Sequence, residues 1–259
     1  MKNEAYYIQG MPTSSSFLTK VRTMTPIHTL LVTGANNHDW TRSSPFCKDL
    51  LEQSGRFQVD VSENPAVALA DRERVAGYDL FFLDYNGPRW GEPADGVFVD
   101  AVRRGAGVVV LHAADNAFPG FTEYEKMVAL MWREGTGHGA FHEFEVAVKP
   151  GHPITDGLPN FRTWDELYHR LVHMHDTPYE VLATAYSDPA TGGTGNDEPM
   201  MVITRYGEGR IYHHVLGHVW EGEPQGPTSG TSMVAFQHPL FQRTLLRGAE
   251  WAATGVVTL

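Results

Sequence analysis

The chain has 259 residues, of which 42% are apolar and 20% are charged, and it carries 6 Trp and a single Cys. A chain of this length buries roughly 70–75% of its unfolded surface, so its core needs no disulfide staples. The formal net charge of −11 argues against nucleic acid and anionic membranes as partners, because both are bound by concentrated Lys and Arg. A small neutral or cationic ligand is the expected partner.

The location of the protein is predicted from what the sequence lacks. No basic start is followed by an apolar stretch, and no run of 18 apolar residues occurs, so neither a secretory leader nor a membrane span is predicted. Cys47 has no second cysteine to pair with, which excludes a disulfide framework. These features favour the cytoplasm. They leave the oligomeric state open, and a homo-oligomer is compatible with them.

The first half of the chain alternates between apolar strands and helices. Residues 1–26 have no clear period and are predicted to form an N-terminal extension, while residues 27–259 are predicted to form a single domain. The strands "IHTLLVT", "FQVDV", "YDLFFLDY" and "VVVLHAA" are separated by the helical patterns "SPFCKDLLEQSG", "AVALADRERVAG" and "FVDAVRRGAG". Continuous apolar strands that alternate with helices indicate a parallel sheet covered on both faces.

The second half has a different pattern. "FHEFEVAV" alternates strictly between apolar and polar residues, which is typical of a strand with one face in solvent. His142 shares parity with the apolar face and is expected to point inward, where an imidazole needs a partner. Further strands are predicted at "YEVLATAY", "MMVITRY" and "GRIYHHVLG", and a final amphipathic helix at "HPLFQRTLLRGAEWAATG". These strands should add an antiparallel part to the sheet.

Polar side chains follow the first and fourth strands at their carboxyl ends, where the ligand crevice of an open α/β sheet lies. The two segments would be neighbours in a flavodoxin-like strand order. The alternative for Asp39 and Asp115 is that they cap the helices that follow them. The crevice residues are Asn36, Asn37, His38, Asp39 and Trp40 after the first strand, and His112, Asp115 and Asn116 after the fourth.

Several common chemistries have no support in the sequence. Cys47 lies inside a helical pattern and not at a turn from strand to helix, and no G-x-S-x-G occurs, so Cys and Ser hydrolase mechanisms are not predicted. No G-x-x-x-x-G-K-[ST] or G-x-G-x-x-G motif follows a strand. A nucleotide cofactor is therefore not expected.

What remains is a site built from histidine and carboxylate groups. The chain has 13 His, and the pairs His138/His142 and His214/His218 each have a spacing that can aim two imidazoles at one point. Asp165 and Glu166 are carboxylates beside aromatic residues in "TWDELYHRL", and either could serve as a ligand or a general base. Two or three His with a carboxylate fit zinc or another divalent transition metal. The competing interpretation is a metal-free sugar pocket lined by His, Asp and Trp.

The ordered set of motifs resembles the ThuA-like family, named for trehalose utilization, from about residue 27 to 255. The motifs are "LLVTGANNHDW", "VVLHAADNAF", "HPITDGLP", "DELYHRL", "EVLATAYSDPATGGTGNDEPM", "YGEGRIYHHVLGH" and "FQRTLLRGAEWAATG". The family is related to class I glutamine amidotransferases. The resemblance implies a flavodoxin-like three-layer α/β/α sandwich, with a mostly parallel central sheet and added antiparallel strands in the C-terminal half.

The resemblance also bears on the chemistry. The amidotransferase nucleophile, a Cys, follows the strand that here ends at His112, so a glutaminase reaction is not expected. Family membership implies a role in disaccharide or keto-glycoside metabolism. The family positions that carry over are His38 in "NHDW", His112 in "LHAADN", His142 in "FHEF", Glu166 in "DELY" and His218 in "LGH".

The leading hypothesis is an enzyme that isomerises or cleaves a disaccharide or keto-sugar glycoside by acid–base chemistry, in which a metal or an imidazolium stabilises the enediolate. The alternatives are a non-catalytic sugar-binding or interaction protein on the amidotransferase scaffold, and a metal-dependent amide hydrolase. The assigned roles are catalytic for His112, Glu166 and Asp115, substrate-binding for Asn37, Asp39, Trp40 and Asn116, and metal-binding for His38, His142 and His218.

Overall fold

A computed structural model describes residues 25–259 of the chain. Residues 1–24, which make up nearly all of the predicted N-terminal extension, lie outside the described residues. Within the described part of the chain, no helix is both long and apolar enough to cross a membrane.

Within residues 25–259, nine strands form one central sheet. Its first half is parallel and has the order β2-β1-β3-β4-β13. The strands are β1 (Ile27–Val32), β2 (Phe57–Ser62), β3 (Leu80–Leu83), β4 (Gly107–Leu111) and β13 (Gly209–His214). The four strands predicted from the first half of the sequence are all present, and β13 joins them from near the end of the chain. All five therefore present their carboxyl ends at one edge.

The second half of the sheet is antiparallel and continues from β13 in the order β12-β11-β7-β8. These strands are β7 (His142–Val148), β8 (Phe161–Asp165), β11 (Tyr179–Tyr186) and β12 (Asp197–Tyr206). Two short antiparallel pairs lie outside this sheet: β5 (Leu130–Met131) with β10 (Val172–His173), and β6 (Gly137–His138) with β9 (Tyr168–His169). The predicted antiparallel addition is confirmed.

Helices cover both faces of the sheet. They are α1 (Trp40–Gln53), α2 (Pro65–Ala68), α3 (Arg72–Val75), α4 (Ala94–Arg103), α5 (Thr122–Val128), α6 (Val234–Gln237) and α7 (Pro239–Thr254). The pattern "AVALADRERVAG" forms two short helices and not one, because the Asp71 carboxylate caps a new helix by accepting from the backbone N–H groups of Glu73 and Arg74.

The core consists of two apolar clusters, one on each side of the sheet. Leu31 and Val109 pack with Phe241 of α7 in one cluster, while the next residues along β1 and β4 point to the other cluster with α4. Alternate residues of the parallel strands are thus buried on both faces, which explains their continuous apolar sequence. The predicted flavodoxin-like three-layer α/β/α sandwich is confirmed.

Cys47 lies in α1 and is fully buried. Burial raises the pKa of its thiol well above the usual range. Because the thiolate is the nucleophilic form, this residue is not poised for catalysis.

His214 at the end of β13 makes the fold sensitive to acid. Its buried Nδ1–H donates to the Leu216 carbonyl (3.0 Å), and Nε2 lies 3.2 Å from Thr244 Oγ1. Burial lowers the pKa of His214 from 6.5 to about 4. The unfolded chain therefore binds the proton more tightly, and stability falls as the pH falls through this interval. From pH 7 to pH 5 the loss due to this residue is about 2 kcal/mol.

The variant His214→Gln tests this. It should be less stable than the natural protein at pH 7, since a buried hydrogen bond is disturbed, but it should lose about 2 kcal/mol less between pH 7 and pH 5. Urea unfolding of the metal-free proteins at both pH values gives the comparison. Equal losses in the two proteins would contradict the assignment.

Candidate active site

Four buried side chains meet at the carboxyl edge of the parallel strands. His38 lies in the loop after β1, His112 directly follows β4, Glu166 follows β8, and His218 lies after β13. One nitrogen or oxygen atom from each residue lies within 4.8 Å of those of the other three. We refer to these four residues as the His/Glu cluster. Within residues 25–259, these four residues form the one group whose side-chain atoms are close enough together to hold a metal ion.

Three members of the cluster are in direct contact. His218 Nδ1 lies 3.1 Å from His38 Nε2 and 3.1 Å from Glu166 Oε2. The ring centroid of His112 is 4.7 Å from that of His38 and 5.8 Å from that of His218. The geometry thus consists of a tight group of two imidazoles and one carboxylate, with His112 beside it.

The hydrogen-bond partners determine where two of the imidazoles carry their lone pairs. His112 Nδ1 lies 2.6 Å from the Val215 carbonyl, which can only accept, so Nδ1 carries the proton. His112 Nε2 is then an unprotonated nitrogen, and it is buried without a hydrogen-bond partner. His38 Nδ1 lies 3.2 Å from Asn37 Oδ1, an oxygen that also accepts from Asn86 Nδ2. Both imidazoles therefore turn a lone pair at Nε2 into the cluster.

The environment keeps these imidazoles neutral. Burial, and secondarily the neighbouring His218 and His138, lowers the pKa of His38 from 6.5 to about 3. Burial, followed by the neighbouring imidazoles of His38 and His218, lowers the pKa of His112 well below its usual value. The neutral form is the one that binds a cation or accepts a proton.

Asp165 holds two parts of the cluster together. Its fully buried carboxylate accepts from the backbone N–H groups of Glu166 (2.7 Å), Gly217 (2.9 Å) and His218 (3.2 Å). Burial raises the pKa of Asp165 to about 8, against the opposing effect of these three donors. The side chain thereby ties the end of β8 to the segment after β13, which places Glu166 beside His218.

The backbone at His112 has the sharp turn expected where a strand runs directly into a helix. His112 has φ +44°, in the left-handed region, and begins a short 3₁₀ helix over His112–Asn116. Gly217 passes close by with φ +142°, and a Cβ there would lie 3.1 Å from His112 Cβ. The turn that carries a nucleophile in amidotransferases, as the sequence resemblance implies, thus presents an imidazole here.

Two predicted residues lie apart from the cluster. His142 is opposite Asp165 across the β7/β8 pair, but its Nδ1 donates to the Ala140 carbonyl (2.6 Å) and its Nε2 lies 3.4 Å from Thr191 Oγ1. Asp115 is fully buried and faces His213, with Oδ2 3.6 Å from Nε2. Glu166 takes the place in the cluster that the sequence analysis gave to His142.

The four predicted substrate-binding residues are placed differently from one another. Asn37 is exposed at the rim of the cluster, beside His38. Asp39 instead accepts from Thr41 Oγ1 (2.5 Å) and makes no capping bond at the start of α1. Trp40 lines a small apolar pocket with Pro45 and Lys48 on the side of α1. Asn116 is half-buried at the end of the 3₁₀ helix.

Three residues at the site were not assigned from the sequence. The Trp220 indole stacks on His38 with ring centroids 5.0 Å apart and donates from Nε1 to Glu166 Oε1 (3.2 Å). The Tyr168 ring stacks on His112 at 4.2 Å, and His138 Nε2 lies 3.5 Å from Glu166 Oε2. For Tyr168 and Trp220 the available signal was nearness in sequence to Glu166 and His218, as in "DELY" and "GHVW", whereas His138 was marked by its spacing with His142.

The fold and this cluster define a flavodoxin-like α/β protein with a buried His/Glu site at the carboxyl edge of its parallel strands. The family model ThuA, described as trehalose utilisation, matches residues 28–252. The chain belongs to this family. No match was found among curated proteins.

Solved structures agree with this assignment. A ThuA-like protein from Parabacteroides merdae ATCC 43184 is 38% identical, with 91% of this chain and 92% of that chain covered and a TM-score of 0.79. A ThuA-like protein from Bacteroides uniformis ATCC 8492 is 17% identical, with coverages of 96% and 98% and a TM-score of 0.63. A cytoplasmic protein from Salmonella typhimurium LT2 is 13% identical, with coverages of 87% and 99% and a TM-score of 0.61. The last two show similarity of fold alone.

Proposed function

We propose that this protein is a metal-dependent cytoplasmic enzyme that acts on a keto-sugar glycoside, by isomerisation or by cleavage of the glycosidic bond. The observation that carries the proposal is the convergence of three imidazoles and one carboxylate at a single buried point. The sugar substrate is supported by the family description, trehalose utilisation.

The residues present fit a divalent transition metal. His38 Nε2, His218 Nδ1 and Glu166 Oε2 are linked by 3.1 Å contacts, which is the spacing of adjacent ligands around one ion. Two imidazoles and a carboxylate suit zinc or iron better than calcium or magnesium, which prefer oxygen ligands alone. Asn37 supplies the outer hydrogen bond that orients a metal-binding His38. We assign these three residues as the ligands.

His112 is left as the base. Its Nε2 lone pair faces the cluster and has no other partner, and its Nδ1–H is held by the Val215 carbonyl. His112 Nε2 takes the proton from the carbon next to the keto group, and the electron pair of that C–H bond moves to the keto oxygen. A bound divalent cation supplies the positive charge that stabilises an enediolate.

The fate of the enediolate decides the product. If the deprotonated carbon bears a hydroxyl, its O–H proton moves to the former keto oxygen while His112 Nε2–H returns its proton to the former keto carbon, and the result is an isomerised keto-sugar. If the electron pair instead expels a glycosidic oxygen placed β to the carbonyl, the glycosidic bond breaks, and the leaving oxygen takes up the proton that His112 Nε2 carries. Asp115 takes no part in these steps, because its carboxyl is buried against His213.

The rim of the cluster suits a hydroxylated ring. Asn37 and His138 are exposed there, and the half-buried Phe141 lies against His218 with ring centroids 5.7 Å apart. Amide and imidazole groups hydrogen-bond sugar hydroxyls, while aromatic rings pack on the apolar face of a pyranose. Burial strongly lowers the pKa values of two imidazoles at this site, and such groups in a cleft favour an enzyme over a purely sugar-binding protein.

Elemental analysis of protein purified without an affinity tag, combined with an activity assay, tests the proposal. One equivalent of a divalent transition metal and turnover of a keto-glycoside, but not of the parent glycoside that lacks the keto group, are the expected results. Metal-free protein that binds sugars without converting them would support the sugar-binding alternative. Stoichiometric metal with amide hydrolysis and no keto-glycoside turnover would support an amidase.

A further inference from the structure

The two oxygens of Glu166 have different surroundings. Oε2 faces the imidazoles and lies 3.1 Å from His218 Nδ1 and 3.5 Å from His138 Nε2. Oε1 accepts a hydrogen bond from Trp220 Nε1 at 3.2 Å. One oxygen is thus directed at the candidate ion, while the other is engaged by a neutral donor outside the cluster.

The Trp220 indole is itself held in position from several sides. It is nearly parallel to the His38 ring, with 14° between the planes, and meets the His218 ring edge-on at a centroid distance of 4.8 Å. Its backbone N–H donates to the Gly230 carbonyl at 2.7 Å. A Cβ on Gly230 would lie only 2.7 Å from Trp220 Cδ1, so the ring fills the space that this glycine leaves.

We propose that Trp220 is a positioning residue that makes Glu166 bind the metal through one oxygen only. This inference rests on the metal site of the proposed function. A carboxylate can hold an ion with one oxygen or with both. The indole N–H keeps Oε1 turned away from the ion, so Glu166 fills one coordination position with Oε2. A position then stays open for the substrate oxygen, as a catalytic metal site requires.

The variant Trp220→Phe separates the hydrogen bond from the stacking. Phenylalanine keeps an aromatic ring against His38 but has no N–H, so Oε1 is released and can chelate the ion. The probe is Co²⁺ added to the metal-free protein, because its visible absorption weakens as the coordination number rises. We expect the variant to bind one equivalent of Co²⁺, with a dissociation constant raised by no more than about 100-fold, and with a several-fold weaker visible spectrum.

Two further variants complete the design. Gly230→Ala puts a Cβ 2.7 Å from Trp220 Cδ1 and 3.2 Å from His218 Nε2; because the closer contact is with the indole, the variant should displace it and weaken the spectrum in the same direction. Trp251→Phe removes an indole from α7, where the ring packs against His152, and should leave the spectrum unchanged.

The possible failures can be told apart. If the natural protein takes up no Co²⁺, the metal site of the proposed function is wrong. If the natural protein binds Co²⁺ and Trp220→Phe has the same spectrum, the proposed function stands and the role of Trp220 is overturned. Complete loss of Co²⁺ from Trp220→Phe also overturns this role, since the indole would then be needed to hold the ion at all.

Discussion

Replacing His112 by alanine is expected to reduce turnover by about 10²–10⁴-fold, the usual contribution of a general base, while leaving the bound metal in place. His112 stands beside the tight group of three ligands, and its Nε2 has no partner within the protein. The measurements are the turnover number for the keto-glycoside that the natural protein converts best, and the metal content. Exchange of the hydrogen next to the keto group with solvent deuterium, followed by NMR, reports the proton abstraction directly.

His142→Ala is the matched control for this prediction. His142 is a histidine at the start of β7 whose imidazole is engaged with Ala140 and Thr191, so its removal should change neither metal content nor turnover. Unchanged deuterium exchange in His112→Ala would rule out His112 as the base. Loss of metal from His142→Ala would instead restore the ligand role predicted from the sequence.

Replacing Glu166 by glutamine is expected to weaken metal binding by more than about 100-fold, beyond the 10–100-fold typical of residues that only support a ligand. The substitution keeps the shape of the side chain, and the amide oxygen can still accept from Trp220 Nε1. What is lost is the negative charge that Oε2 presents beside His218 Nδ1. Competition with a chelator of known affinity measures the dissociation constant.

Glu143→Gln supplies the comparison for this variant. Glu143 is exposed on β7 and pairs with Arg162 on the surface, so its metal affinity should equal that of the natural protein. Urea unfolding of metal-free Glu166→Gln checks that the fold is retained. If Glu166→Gln binds metal as tightly as the natural protein does, Glu166 is not a ligand.

Local patterns in the sequence were sufficient for the architecture. The continuous apolar runs of β1 and β4 predicted strands buried on both faces, and both are covered by helices on each side. The alternation in "FHEFEVAV" predicted the one-sided strand β7. These properties depend on the period of a few neighbouring residues, and such periods can be read directly from the sequence. The break between α2 and α3 was missed because Asp71 acts as a cap, which the overall helical period obscures.

The sequence predicted which loops form the site, but not all of the side chains that meet there. His38 and His112 follow parallel strands whose carboxyl ends must meet at one edge, so their approach follows from the alternation of strands and helices. His142 has the parity of an inward residue, yet two hydrogen bonds formed by its own neighbours turn the imidazole away. The direction of a side chain at a strand end depends on such contacts, and the alternation of apolar and polar residues along the strand does not predict them.

The sequence by itself determined the layered fold, the likeness to the ThuA family and the set of histidines and carboxylates from which a site could be built. Only the tertiary structure decided which of them meet. β13 pairs beside β4, and Asp165 ties β8 to the segment after β13, so residues more than a hundred positions apart become neighbours. These long-range pairings depend on the packing of the whole sheet, and they bring Glu166 into the cluster and Trp220 beside it, while His142 and Asp115 lie outside it.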